Sequence, residues 1–168
     1  MMHPARLPEE ELIKQCTFAK GRGSGPGGQH RNKVETKVTV THVPTGVETH
    51  ASERRSAVEN RRVAIRRLRL ALAVKARSGV GSGDVRSELW RSRCSPEGRV
   101  SCNTEHADYP ALLAEALDMV AACGLDVKKA AIRLSCSASQ LIKLIQQHPA
   151  AIEDLNRQRA AAGEHPLH

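Results

Sequence analysis

The chain has 168 residues, with 26 Lys+Arg against 18 Asp+Glu, a formal charge of +8 and a pI near 9.7. Aromatic residues make up 2%, one each of Phe18, Trp90 and Tyr109, so the core must be aliphatic and no nucleic-acid contact can rest on rows of stacking rings. The most apolar stretches, Ile65 to Ala76 and Leu112 to Cys123, are too short or too charged to span a bilayer, and Glu9, Glu10 and Glu11 stand where a signal or transit segment would be basic or apolar, so a cytoplasmic protein without a membrane partner is expected.

In chain order, the alternation and β-formers of Leu12 to Ala19 predict a strand. Gly21 to Gly28 holds five glycines and a proline in eight residues and cannot be regular structure. Thr36 to Val43 alternates β-branched and polar residues, Pro44-Thr45-Gly46 supplies a turn, and Val47 to Ser52 returns as the second arm of a hairpin. From Ser56 the period becomes helical for about 22 residues, with Val58, Ile65 and Leu72 seven apart and Ala64, Leu68 and Ala71 filling the same face. That helix would pack Ile65 and Leu68 on the hairpin and turn Arg61, Arg62, Arg66 and Arg69 outward. Residues 78–108, rich in Ser, Gly and Arg, predict a flexible linker in which Trp90 docks locally.

The remaining residues predict a small all-α unit. Pro110 begins a helix that Gly124 ends, Asp126 caps Val127 to Leu134, Ser137 to Gln140 is a capping box before Leu141 to Gln147, and Pro149 opens a helix that Gly163 closes. Ala130 to Leu141 resembles a helix-turn-helix. Its second segment, Ser137 to Gln147, offers only Lys143 as a cation, which favours a protein-contact module over a DNA reader. The fold class is thus α+β, organised as 1–77, a linker over 78–108 and a helical unit over 109–168.

Charge follows the same division. Residues 1–100 hold 20 Lys+Arg and 10 Asp+Glu, residues 101–168 hold 6 and 8, and Arg54 to Arg77 alone carries nine cations with one acid, Glu59. Such clustering points to a polyanionic partner, because neutralised phosphates release condensed counterions. Five cysteines, Cys16, Cys94, Cys102, Cys123 and Cys136, have no C-x-x-C pair and predict a reduced chain. Cys94, Cys102 and His106 lack tight metal-ligand spacing, so neither metal nor cofactor is expected.

The Gly-rich loop lacks the G-K-[ST] ending of a phosphate-binding loop and the spacing of a dinucleotide fingerprint. Its glycines allow a close backbone approach, and Gln29 offers a main-chain N–H and a neutral amide at the tip. Ser24-Gly25-Pro26-Gly27-Gly28-Gln29-His30-Arg31-Asn32-Lys33-Val34, then Val40 to Gly46, then Arg55-Ser56 with Asn60, resemble the catalytic GGQ domain of peptide chain release factors over Leu12 to Ala76.

This resemblance implies hydrolysis of the ester joining a nascent peptide to tRNA, in the peptidyl-transferase centre of the ribosome. Gly27, Gly28 and Gln29 would be catalytic, with Ser24, Gly25, Pro26 and Asn32 supporting the loop. Arg31, Lys33, Arg54, Arg55, Arg61, Arg62, Arg66 and Arg69 would hold large-subunit ribosomal RNA by phosphate contact. Peptidyl-tRNA and a glutamine methyltransferase acting on Gln29 are the other implied partners, and a monomer is expected. His30 and His42 are read as loop and hairpin residues rather than proton carriers.

No stop-codon-reading motif is found and the C-terminus is not a basic tail, so the size points to codon-independent ribosome rescue without the usual sensor. Arg31 stands where the family often has a small apolar residue, and Ala57 where a glutamine often follows Arg-Ser. Two further readings are open: a non-catalytic ribosome-binding factor that uses the loop for docking, and a nucleic-acid-binding regulator built on the C-terminal unit.

Overall fold

The computed structural model describes residues 1–22 and 35–168. A one-turn 3-10 helix at Pro4–Arg6 leads into α1 (Glu9–Lys14), and three strands follow, β1 (Cys16–Gly21), β2 (Lys37–His42) and β3 (Val47–Ala51). They form an antiparallel sheet in the order β1-β2-β3. Helix α2 (Ala57–Lys75) packs on β2 and β3, and then come α3 (Glu88–Arg93), α4 (Tyr109–Ala122), α5 (Val127–Leu134), α6 (Ala138–Gln146) and α7 (Pro149–Ala161). The α+β class expected from the sequence is the class observed.

The sheet's register follows the alternation of its residues. Phe18, Val40 and Thr49 lie in line across the three strands, as do Cys16, His42 and Val47, and this face carries the buried Val38, Val40, Val47 and Ala51. A one-residue slip would turn all of them to the other side. The hairpin turn closes with the Gly46 N–H donating to the His42 carbonyl at 2.8 Å, and Gly46 has φ +71°, where a side chain is strained. The Thr49 hydroxyl donates to the Ala64 carbonyl at 2.8 Å, tying the sheet to α2.

Two local expectations are corrected. Leu12 to Lys14 belongs to α1 rather than to the first strand, because Pro8 starts a helix whose first turn is Glu9, Glu10 and Glu11, acids that favour a helix N-terminus. Leu12 is fully buried, and Gln15, whose carbonyl accepts from the Val43 N–H at 3.0 Å, breaks the helix before β1. Val58 is 63% exposed although it lies seven residues before Ile65. It sits two residues, about 200° round the helix, from Asn60, which fills the inward position of that first turn.

Residues 78–108 carry more structure than a coil. Ser87 caps α3, its hydroxyl accepting from the Trp90 N–H at 3.0 Å, and the fully buried Trp90 indole donates to the Leu134 carbonyl at 2.8 Å. Cys94 and Val100 form an antiparallel bridge. At the turn between them Gly98 has φ +79°, and a Cβ there would stand 3.1 Å from the Ser137 nitrogen.

Helix α4 is buried on almost every side, as its continuous apolar sequence requires. Its two acids are occupied: Glu115 accepts from the Ser87 N–H at 2.7 Å and from the Ser87 hydroxyl, and Asp118 accepts from Arg77 at 3.0 Å and from the Ser78 N–H at 3.1 Å. The predicted caps Asp126 and Ser137 start α5 and α6 as expected. One apolar core runs from Leu12 and Val40 through Leu68 and Leu72 to Leu112, Leu134 and Ile145.

Candidate active site and nucleic-acid interface

Residues 23–34 join the ends of β1 and β2, whose last pair is Gly21 with Lys37. The candidate catalytic Gly27, Gly28 and Gln29, the supporting Ser24, Gly25, Pro26 and Asn32, and the cations Arg31 and Lys33 lie outside the described residues. What the structure gives is the base formed by the residues that flank this segment.

That base is organised by Asn60. The side chain is fully buried; its amide donates to the Thr36 carbonyl at 2.7 Å and to the Arg54 carbonyl at 3.0 Å, and its oxygen accepts from the Arg54 N–H at 2.9 Å. One side chain at the start of α2 thus ties the strand entry at Thr36 to the segment that carries Arg54 and Arg55. The residue type is required, since only a neutral amide donates to two carbonyls while accepting from an N–H.

The candidate arginines divide into two groups. Arg54, Arg55, Arg61 and Arg62 are exposed, with Arg61 lying 3.9 Å from the centroid of the Phe18 ring, a cation–π contact that holds the guanidinium above β1. Arg66 donates to the Thr104 carbonyl and pairs with Glu105, each at 2.9 Å. Arg69 donates to the Ala5 carbonyl at 3.1 Å, and burial lowers its pKa. Arg67, absent from the candidates, donates to the His50 carbonyl at 2.9 Å and pairs with Glu53, whose carboxyl this hydrogen bond holds down at about 2.

Two exposed cations that the sequence reading passed over, Lys20 and Arg22, stand where β1 enters the loop. Their signal was position, immediately beside the Gly-rich run. A cleft of about 530 Å³ between α2 and residues 105–111 is lined by Arg62, Arg66 and Arg69 together with Arg6, Glu105 and Asp108. Among the described residues, exposed guanidinium groups thus lie at Arg54, Arg55, Arg61 and Arg62 and at Arg22 beside residues 23–34.

His42 is a structural residue. It is 2% exposed, its Nε2–H donates to the Gln15 side-chain carbonyl at 2.8 Å and its Nδ1 accepts from the Thr45 hydroxyl at 2.7 Å. Burial, then the neighbouring His3, lowers its pKa. Cys94, Cys102 and His106 keep separate company: Cys94 donates to the Ser135 carbonyl at 3.3 Å, Cys102 to the Asn103 carbonyl at 3.5 Å, and His106 Nδ1 accepts from the Asp108 N–H at 3.0 Å. All five cysteines are free thiols. Among the described residues, no helix is long and apolar enough to cross a membrane.

Comparison with known proteins agrees with this geometry. Residues 8–92 match the family model of the RF-1 domain, a span that includes the loop, the sheet and α2. The peptide chain release factor 1 of Leptospira biflexa serovar Patoc (strain Patoc 1 / Ames) is 38% identical over 113 residues, covering 58% of this chain and 31% of that protein. That of Geobacter sulfurreducens is 38% identical over 115 residues, covering 58% and 32%, and that of Acidiphilium cryptum is 42% identical over 92 residues, covering 48% and 26%. The chain spans about a third of the length of these relatives. With half of its residues matched, and with the β1–β2 connection, Asn60 and α2 inside the match, the chain belongs to the RF-1 domain family.

Proposed function

We propose that this protein hydrolyses the peptidyl-tRNA ester in the peptidyl-transferase centre of the ribosome, and that it does so without reading a stop codon. The observation that carries the reading is Gly27-Gly28-Gln29 in the β1–β2 connection of an RF-1 domain, whose flanking Thr36 is held by Asn60 beside the exposed Arg54, Arg55, Arg61 and Arg62. Water would attack the ester carbonyl, the carbon–oxygen bond to the 3′ end would break, and the departing 3′ oxygen would take the proton. The Gln29 N–H would donate to the developing negative charge while its side-chain amide positions the water, and Gly27 and Gly28 would allow that approach. Residues 1–77 would act as the catalytic region, followed by the connection over 78–108 and the helical unit over 109–168.

Large-subunit ribosomal RNA would meet Arg54, Arg55, Arg61 and Arg62, with Arg31 and Lys33 on the loop. Methylation of the Gln29 amide by a methyltransferase fits the same reading, as does action as a monomer in the bacterial cytoplasm. The test is peptide release from ribosomes stalled at the end of an mRNA without a stop codon. Wild type should release peptide equally well with and without a stop codon in the decoding site, and Gly28→Ala should be at least ~100-fold slower while binding ribosomes normally. Full activity in Gly28→Ala overturns the catalytic reading in favour of docking, and dependence on a stop codon overturns the rescue reading.

A further inference from the structure

The negative charge of residues 101–168 conceals a basic segment. Residues 127–147 contain Lys128, Lys129, Arg133 and Lys143 and no acid, whereas residues 101–126 contain five acids and no Lys or Arg. Those acids are largely occupied. Glu115 and Asp118 are 5% and 4% exposed and hold Ser87, Arg77 and Ser78; Asp108 pairs with Arg93, Glu105 with Arg66, and Asp126 caps α5. The charged side chains on α5 and α6 themselves are therefore all cations, with Asp126 and Glu164 at the edge of the surface.

Helices α5 and α6 pack as a helix-turn-helix pair. Ser135 takes the left-handed conformation at φ 55°, the Cys136 N–H donates to the Ala131 carbonyl at 3.0 Å, and Ser137 caps α6. Leu141, Leu144 and Ile145 turn inward, which leaves Ser139, Lys143 and Gln146, spaced four and three residues apart, exposed along the outer side of α6. Lys128 and Lys129 are exposed on α5; Lys129 has a 4.0 Å contact with Asp126. Lys128 lines the same depression of about 260 Å³ as Ala138 and Ile142 of α6, together with Asp126, Arg159 and Glu164, so this α5 cation flanks the α6 stripe. Judged on α6 alone the segment has one cation, but the fold adds those of α5.

We infer that this surface binds duplex RNA, giving the protein a second RNA contact beside the one on α2. Single-stranded RNA is disfavoured because Trp90 and Tyr109 are fully buried and Phe18 lies under Arg61, so that among the described residues no Trp, Tyr or Phe ring is open to a base. An A-form duplex instead displays 2′-hydroxyls and phosphates across a shallow groove, where Ser139, Gln146 and Gln147 supply neutral donors and acceptors and the lysines meet phosphates. Ile132, 77% exposed, is the only large apolar side chain exposed on the two helices, too little for an apolar protein interface. The choice of RNA over DNA rests on the proposed action at the ribosome.

The test uses the full chain with Arg54, Arg55, Arg61 and Arg62 changed to Ala, so that the α2 surface contributes little. Binding to a duplex RNA of about 16 base pairs and to the DNA duplex of the same sequence is followed by fluorescence anisotropy across a salt series. In that background K128A/K129A/K143A should weaken RNA binding at least ~10-fold and lower the magnitude of the salt slope by about 2, whereas K128R/K129R/K143R should retain both. Unchanged affinity in the alanine triple, failure of the arginine triple to bind, or DNA bound as tightly as RNA overturns the inference. Peptide release is measured alongside: Gly28→Ala should lose release and keep duplex binding, so failure of the catalytic reading and failure of this one are separate results.

Discussion

At the level of single residues, Asn60 connects stability to the loop. Replacing it with Ala leaves the Thr36 carbonyl and the Arg54 N–H and carbonyl without a partner, a cost of about 3 kcal/mol. Asn60→Asp keeps an acceptor for the Arg54 N–H but aims a carboxylate at two carbonyls, so it should destabilise at least as much. Urea unfolding checks both, and peptide release by Asn60→Ala should fall at temperatures where circular dichroism shows it folded. Unchanged release would separate Asn60 from the loop. A second residue-scale effect is set by histidines: burial lowers the pKa of His3, His42 and His148 below the ordinary 6.5. Above that pH both folded and unfolded chains hold them neutral and stability is flat. As pH falls below it the unfolded chain takes protons that the folded chain refuses, so stability declines by up to ~1.4 kcal/mol per pH unit per histidine until the lowered folded value is reached. Urea midpoints should thus drop between about pH 7 and pH 5.5, with a shallower decline in His42→Gln. A flat profile would contradict the buried neutral state.

At the level of elements, α2 combines a core face with a cationic face, and the sequence reveals the two unequally. Ala64, Ile65, Leu68 and Leu72 are buried as the helical period predicts, and the β2–β3 hairpin follows its alternation within a residue at each end. Arg66 and Arg69 read like Arg62, because nothing local marks their acceptors. These are backbone carbonyls of Thr104 and Ala5, supplied by distant segments. The proposed site at Gly27-Gly28-Gln29 can be read from sequence because its chemistry lies in consecutive residues, whereas the Asn60 clamp depends on a fold that brings Thr36 and Arg54 together. A physical separation follows: Arg62→Ala should leave stability within ~0.5 kcal/mol and reduce ribosome affinity, with a salt slope smaller by about 1. Arg69→Ala should cost about 1–3 kcal/mol, since the Ala5 carbonyl loses its donor and the buried stem its packing. Equal effects of the two on stability would show that the division of the helix is wrong.

At the level of the whole molecule, the two unlike halves of the sequence share a core. Composition divides them, because the Ser, Gly and Arg of residues 78–108 are typical of solvated chain and α4 alone reads as an ordinary apolar helix. The hidden term is the pair of acids on α4. Glu115 and Asp118 are nearly buried, and a buried carboxylate must find donors, which here are Ser87, Arg77 and Ser78. Those bonds draw the segment after α2 along α4, and the fully buried Trp90 then fixes it to the end of α5 through Leu134. Because Leu72, Ala73 and Val74 near the end of α2 are buried and α2 packs on α4, removing residues 78–168 would expose apolar surface that the sheet alone does not cover. The fragment 1–77 should therefore lose cooperative urea unfolding and bind a hydrophobic dye, while the full chain unfolds in one transition seen alike by circular dichroism and Trp90 fluorescence. A fragment that unfolds cooperatively would show that the amino-terminal region is an independent domain and that its contact with α4 is dispensable. Gly98→Ala probes the same junction from the other side: with φ +79° and a Cβ 3.1 Å from the Ser137 nitrogen, it should destabilise the full chain by about 1–3 kcal/mol in urea unfolding.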